Sequence, residues 1–314
     1  MEIDSKRIRR LIERRGRVRE RTLERVVRSQ GWLDPVAEAV QKAVGAFYDS
    51  MGGAGRAARN VMHGTTVLGH PLHPALTDIP LGAWTVGVLA DWLGVATGRI
   101  PPVAGDLALA LGLAAAILAA MSGYTDFHDT FGHERRTAIL HGLTMTLVVV
   151  LEIVSLAMRL ASPGTRPAAI AVSSVAWLFA LAGSYVGGHV VFGIGTAVNR
   201  NAFFEGPADD YVRVGSRDDF PEGEMRRVEA KGLPVVIVRL QGLLYGMGAV
   251  CAHAGGPLDE GKLERDVVTC PWHASQFRFA DGKVVSGPAT FDQPQLLVRE
   301  RGGAVEVKLA RPLH

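Results

Sequence analysis

The sequence has almost no cysteine: Cys251 and Cys270 are the only two in 314 residues. That excludes a secreted disulfide framework and turns attention to a metal or redox role for the pair. A second thing missing is a short apolar core behind the basic N-terminal stretch. None occurs between Met1 and Gly64, so no cleaved leader is expected. Apolar sequence, by contrast, is abundant. Hydrophobic residues make up 48% of the chain and mean hydropathy is +0.17. Their concentration in the middle of the chain implies a membrane section.

The net charge of +3 conceals an asymmetry. Residues 1–66 hold 14 Lys/Arg and 8 Asp/Glu, a net +6 that the remainder offsets. Such an arm suits nucleic acid, anionic lipid or membrane topology. Because hydrophobic spans follow directly, topology is the economical reading, with the lipid bilayer and not nucleic acid as partner. Residues 1–30 read as a polar helix or partly disordered arm. Asp34-Pro35 offers an N-cap and a first-turn proline for a helix whose Val36, Val40, Val44, Phe47 and Tyr48 recur at helical spacing and suit a membrane surface. Gly52 to Gly55 should end it.

Four apolar segments follow, at 75–98, 103–123, 138–160 and 168–192. Each has the ~20 residues a helix needs to cross the hydrocarbon. A soluble bundle would show a polar stripe on each helix, whereas Leu107 to Met121 is apolar nearly all round. Arg135 and Arg136 sit in the second connector, against only Arg99 and Arg166 in the other two. By the positive-inside rule the N-terminus and the second connector face the cytoplasm, and an even number of spans returns the C-terminus to that side. A multi-pass protein of the bacterial plasma membrane, with a cytoplasmic C-terminal domain, is expected.

Beyond about Ala208 the pattern changes to short β-rich runs separated by Gly and Asp turns, as in an antiparallel sandwich or barrel. The runs are Tyr211 to Val214, Met225 to Val228, Pro234 to Leu240, Leu243 to Val250, Val267 to Thr269, Phe277 to Ala280, Gln295 to Arg299 and Ala304 to Leu309. The expected organisation is a basic arm and juxtamembrane helix (1–66), an all-α four-helix transmembrane domain (67–195), a linker (196–208) and an all-β domain (209–312).

Within the β-rich part, Cys251-Ala-His253 and Cys270-Pro-Trp-His273 form the pattern C-x-H-x16-C-x-x-H. Each loop offers one thiolate and one imidazole, the set required by a [2Fe–2S] cluster with two Cys on one iron and two His on the other. A zinc site groups its cysteines and histidines in pairs of one kind and does not fit. The run Gly-Pro-Leu-Asp-Glu-Gly after the first loop, and Cys-Pro-Trp-His in the second, closely resemble the Rieske ferredoxin family over about Tyr211 to Leu309. The resemblance implies that Cys251 and Cys270 bind an inner iron and that His253 and His273 bind an outer iron near the surface, where a soluble redox partner docks. It also implies that Gly287-Pro288-Ala289 is the loop covering the cluster. The respiratory branch of that family has an added, disulfide-linked cysteine in each loop; Gly256 and Trp272 stand there in this sequence. It also has a tyrosine that donates to a cysteine sulfur; here Phe277 stands in its place and Ser275 remains as a donor. Fewer hydrogen bonds to sulfur imply a potential near the low end of the Rieske range, about −150 mV.

Asp126, His128 and His133 are the nearest approach to an oxygenase iron triad, but their spacing and their place in a membrane connector speak against one, so no oxygenase site is expected. Gly69-His70-Pro-Leu-His73-Pro resembles the opening of a poorly characterised bacterial four-helix membrane family. Seven histidines (His63, His70, His73, His128, His133, His141 and His189) fall at the cytoplasmic edge of the spans. Haem b needs axial ligands from facing helices; His73 and His141 are the first candidates, with His70 and His189 as substitutes, and a quinone is the alternative ligand. Asp91 and Glu152 lie inside spans, where ionisable groups are costly and often functional. The chain thus reads as a membrane-anchored electron carrier. The alternatives are a redox or iron sensor acting on the bundle, and a simple tether.

Overall fold

The computed structural model describes residues 22–66, 68–207 and 209–310. The reading of the arm therefore lies outside the described residues over 1–21. Three short helices come first: α1 (Thr22–Ser29), α2 (Leu33–Ser50) and α3 (Gly52–His63). Four long ones follow: α4 (Leu72–Thr97), α5 (Pro102–His128), α6 (Gly132–Ala161) and α7 (Arg166–Gly188), the last continued by a π-helical turn over His189–Ile194. All four are long and apolar enough to cross a membrane. The chain then forms an all-β unit of ten strands.

Asp34 does not cap α2, which starts at Leu33 with Trp32 before it. Its carboxylate instead accepts from Arg136 Nε at 2.7 Å, drawing α2 against the start of α6. Leu33 and Ala37 bury against Phe127 and Ile139, so the amphipathic face of α2 covers the end of the bundle. Gln41 Nε2 donates to the carbonyls of Phe127 (3.1 Å) and Thr130 (2.8 Å), satisfying groups that the end of α5 leaves unpaired. As expected, α2 ends just before Gly52, which stands at φ +54°, and the glycine-rich stretch then opens α3.

The long helices form two hairpins, α4–α5 and α6–α7, each close within itself and looser against the other. Gly98, at φ +66°, ends α4 in the left-handed conformation that glycine adopts without strain, and Pro102 opens α5. Trp84, Leu109, Leu113, Ala116, Val148, Ala176 and Ala180 make the bundle core. A Cβ at Gly112 would lie 2.4 Å from Trp84 Nε1, so helix approach there requires glycine.

The β unit has a six-stranded antiparallel sheet in the order β1 (Val212–Ser216), β10 (Ala304–Leu309), β9 (Gln295–Arg301), β4 (Leu243–Gly248), β3 (Leu233–Leu240), β2 (Met225–Ala230). A four-stranded sheet, β5 (Lys262–Glu264), β6 (Val267–Thr269), β7 (Gln276–Arg278) and β8 (Val284–Ser286), is inserted between β4 and β9. β3 explains the two-sided core. Val235 and Ile237 face one cluster, with Phe220, Leu296, Val305 and Val307. Val236 and Val238 face the other, with Met247, Val268, Cys251, Cys270 and Phe277. The period of two in a continuous apolar run therefore buries both faces.

Candidate metal centre and its junction with the bundle

The two cysteine–histidine loops leave different sheets and meet in one apolar core. Cys251 and His253 follow β4; Cys270 and His273 join β6 to β7. Both loops close the same way. Gly255 N donates to Cys251 O (2.9 Å) and Cys251 N to Gly256 O (2.9 Å); Ala274 N donates to Cys270 O (3.1 Å) and Cys270 N to Ser275 O (2.8 Å). The fifth residue of each turn is left-handed, Gly255 at φ +87° and Ala274 at φ +57°. Alanine pays conformational strain for a geometry that glycine adopts freely.

The thiols are buried and adjacent. The hydrogen bond from Cys251 holds Cys270 below the usual thiol range, while that contact and burial push Cys251 up. The His253 and His273 rings are 4.8 Å apart, edge to face. Burial lowers both imidazoles, His253 to about 4, so they are held neutral, as metal ligands must be. His253 Nδ1 and both ring nitrogens of His273 are buried without a hydrogen-bond partner. Unpaired imidazole nitrogens beside two thiols fit a [2Fe–2S] cluster. Among the described residues no three His, Cys, Asp or Glu converge on one point. Each iron of such a cluster takes only two protein ligands, so no such convergence is needed.

Phe277 is fully buried in the core and has no donor to give. Ser275, also buried, accepts from Ala289 N at 3.0 Å, and its own O–H, with no acceptor among the described residues, can turn to a cysteine sulfur. A hydrogen bond to sulfur worth about 0.5–1.5 kcal/mol corresponds to about 20–65 mV for a one-electron couple. Electrochemical titration should place the cluster near −150 mV, and Ser275→Ala about 20–65 mV lower. A wild-type value above about +100 mV would contradict the weak hydrogen bonding at sulfur.

The imidazole edge is turned onto the end of the helical bundle. His273 stacks on Phe131, ring centres 4.8 Å apart, in the α5–α6 connector. His253 lines a 30 Å³ cavity with His63, Asp126, Asp129, Glu134 and Thr290, room for a bridging water. The covering loop is tied to the first helices: Gly287 N donates to Asn60 Oδ1 (3.0 Å), Ser286 Oγ to the same atom (3.2 Å), and Thr65 Oγ1 to Ala289 O (2.9 Å). On the other flank Arg200 N donates to Ala252 O (3.0 Å) and Asn201 Nδ2 to Val250 O (2.9 Å). His63, at the end of α3, donates through Nδ1 to Asp126 (2.7 Å). Burial alone would lower this imidazole, but bonds to Asp126 and Asp129 push it up to about 9. Beside the junction lies an open cleft of about 1110 Å³ lined by Arg56, Arg59, Arg135, Trp272 and His273.

Of the membrane histidines, His73 and His141 come together, ring centres 6.1 Å apart. The suggested substitutes do not join them. His70 turns to Phe291 of the β unit (6.2 Å) and bonds Pro71 O, and His189 lies 3.8 Å from Glu24. Asp126 is engaged by His63, and His128 lies against Arg59 and Asp129, so two of the three residues weighed as an oxygenase triad have other partners. Asn60, Thr65 and Phe131 were not anticipated, since single polar or aromatic residues carry no spacing signal.

Residues 210–297 match the family described as Rieske [2Fe-2S] domain, and residues 69–200 that described as Predicted membrane protein (DUF2231). The biphenyl 2,3-dioxygenase ferredoxin component of Rhodococcus jostii (strain RHA1) is 33% identical over 98 residues, covering 31% of this chain and 92% of that one. The ferredoxin component of the naphthalene 1,2-dioxygenase/salicylate 5-hydroxylase systems of Ralstonia sp is 28% identical over 83 residues, 26% of this chain and 80% of that one. Apoptosis-inducing factor 3 of Mus musculus is 37% identical over 70 residues, 22% of this chain but only 12% of that protein.

Proposed function

Because this chain belongs to the Rieske [2Fe–2S] family, with a membrane-protein domain ahead of the cluster domain, we propose that it carries single electrons between a soluble redox partner and a haem or quinone in the membrane. Cys251 and Cys270 hold the inner iron of the cluster, and His253 and His273 the outer one. The bound cluster supplies a one-electron couple; the chain supplies placement. Burial of both loops excludes water from the sulfur side, and neutral imidazoles keep the outer edge free of competing protons. The soluble partner reaches that edge through the cleft beside exposed Trp272. The arginines of the cleft favour an acidic partner on the cytoplasmic side of a bacterial plasma membrane.

The observation that carries this reading is the seating of the imidazole edge on the bundle end, with His273 against Phe131. A mere tether has no need of that contact. In nanodiscs, with the full chain loaded with hemin or supplied with a lipid-soluble quinone, the reduced cluster should reoxidise at least about tenfold faster than that of a Phe131→Glu/Asn60→Ala variant. The variant removes an aromatic pair and two hydrogen bonds, about 2–4 kcal/mol in all. The electron paramagnetic resonance signal of its cluster should be unchanged. Equal rates in the two proteins would reduce the bundle to a tether.

A further inference from the structure

Resting on the electron-carrier reading, we propose that the membrane acceptor is a haem held between the two helical hairpins, with His73 and His141 as its axial ligands. The two residues come from α4 and α6, which are diagonal to each other in the bundle. Their rings lie 6.1 Å apart at 73°. A first-row metal about 2.0–2.1 Å from each nitrogen, with about 1.1 Å more to each ring centre, sets ligating rings about 6.2–6.4 Å apart.

Each hairpin prepares its imidazole with the same device. His73 Nδ1 donates to Ala119 O on α5 at 2.8 Å, and His141 Nδ1 donates to Gly183 O on α7 at 2.8 Å. Four residues beyond each acceptor stands a glycine against the ring. A Cβ at Gly123 would come within 2.7 Å of His73, and one at Gly187 within 2.8 Å of His141. A solitary packed histidine needs no such duplication. Because a carbonyl can only accept, both Nδ1 atoms carry the proton and both Nε2 atoms carry a lone pair. Neither Nε2 has a hydrogen-bond partner among the described residues.

That tautomer decides between ligands. A quinone oxygen requires a donor, which a neutral Nε2 cannot be, whereas a metal requires the lone pair. A bare ion would find only two ligands here, since no third His, Cys, Asp or Glu converges on the pair among the described residues. A porphyrin brings four nitrogens in a plane, and the looser seam between the hairpins is where a plane enters with one imidazole on each side. One electron passes from the reduced cluster to ferric iron of the haem, giving the oxidised cluster and ferrous haem; no bond or proton changes hands.

The full chain, expressed with a haem precursor and purified in detergent, tests this by absorption spectroscopy before and after dithionite. Sharp low-spin haem bands are expected at about one haem per cluster. His73→Ala and His141→Ala should each lose those bands at least about tenfold while the Rieske resonance signal, a check that the protein has folded, persists. Added imidazole should restore them in His141→Gly. A wild-type protein with the cluster signal and no haem, even after titration with hemin, overturns the proposal. So do bands that survive in both alanine variants, and so does a non-haem metal that leaves with His73. Loss of the Rieske signal from the wild type would instead strike the electron-carrier reading beneath it.

Discussion

Asp91→Ala is expected to cost the bundle about 3–5 kcal/mol of stability. Arg159 Nη2 meets Asp91 at 2.5 Å, its Nη1 meets Asp106 at 3.0 Å, and Arg166 Nη2 reaches Asp106 at 2.9 Å and Asp91 at 3.4 Å. Two carboxylates thus balance two guanidiniums at the end of the bundle away from the cluster domain. Arg159 and Asp91 are almost wholly buried. Removing one acid leaves an unbalanced positive charge in a place where water does not compensate and lipid makes matters worse. A double Asp91→Leu/Arg159→Leu variant should recover most of the loss, because exchanging a buried pair for apolar side chains is close to neutral. Unfolding of the detergent-solubilised chain, followed by size exclusion after heating, measures both. A single variant within about 0.5 kcal/mol of the wild type would mean that the pair is solvated. The same geometry bears on Glu152, whose carboxyl lies 2.8 Å from Ser173 Oγ, itself 2.7 Å from Ser155 Oγ. The buried acids of the spans are therefore parts of a connected polar network, and Asp91 has a structural duty whatever else it does.

Gly256→Ala is expected to make the cluster labile. Gly256 is the residue whose carbonyl closes the first ligand loop, and its φ is not in the left-handed region, so the backbone tolerates alanine. Space does not. The new Cβ would sit 2.8 Å from Cys270 Sγ and 3.1 Å from the Trp272 ring. The indole has room to swing outward, since it is half exposed, but a sulfur holding the cluster's iron would not. Overpacking of this kind costs about 1–3 kcal/mol, or about a 5- to 150-fold shorter half-time for cluster loss on chelator challenge. Cys270→Ser, by comparison, should abolish the cluster. A Gly256→Ala protein that holds its visible spectrum as long as the wild type would mean that the two loops are further apart than the structure places them. The contact also gives a physical sense to a departure noted in the sequence: Gly256 and Trp272, which stand where the respiratory branch links two cysteines, are so close that a Cβ at 256 would meet the indole.

Much of this was legible beforehand because it rests on periodicity and on residue chemistry. Four long apolar segments, one of them apolar nearly all round, must be buried or face lipid, and they became α4 to α7. The β-rich runs set off by Gly and Asp turns placed β2, β3, β4, β9 and β10 to within a few residues. Lys262–Glu264 and Val284–Ser286 escaped because each is only three residues long and neither stands out as a β-rich run, the first being two-thirds charged. Asp34 looked like a cap because nothing in the neighbouring sequence announces Arg136, a hundred residues away. Gly255 marks its left-handed turn openly, whereas Ala274 hides the same turn. The pairing of His73 with His141 could be guessed from their shared level in the membrane, but the carbonyl and glycine that fix each ring belong to other helices and appear only once the hairpins are assembled.

The cluster domain is fastened at two flanks, by Asn60 and Thr65 on the covering loop and by Arg200 and Asn201 on the first ligand loop. A head held at both sides does not shuttle. On the proposed electron path, donor and acceptor would stay at constant separation, so passage into the bundle would be a tunnelling event across a fixed gap, not a diffusive search. Its rate is set by that gap and by driving force, and thickening the solvent with glycerol leaves it unchanged while slowing only the arrival of the soluble partner.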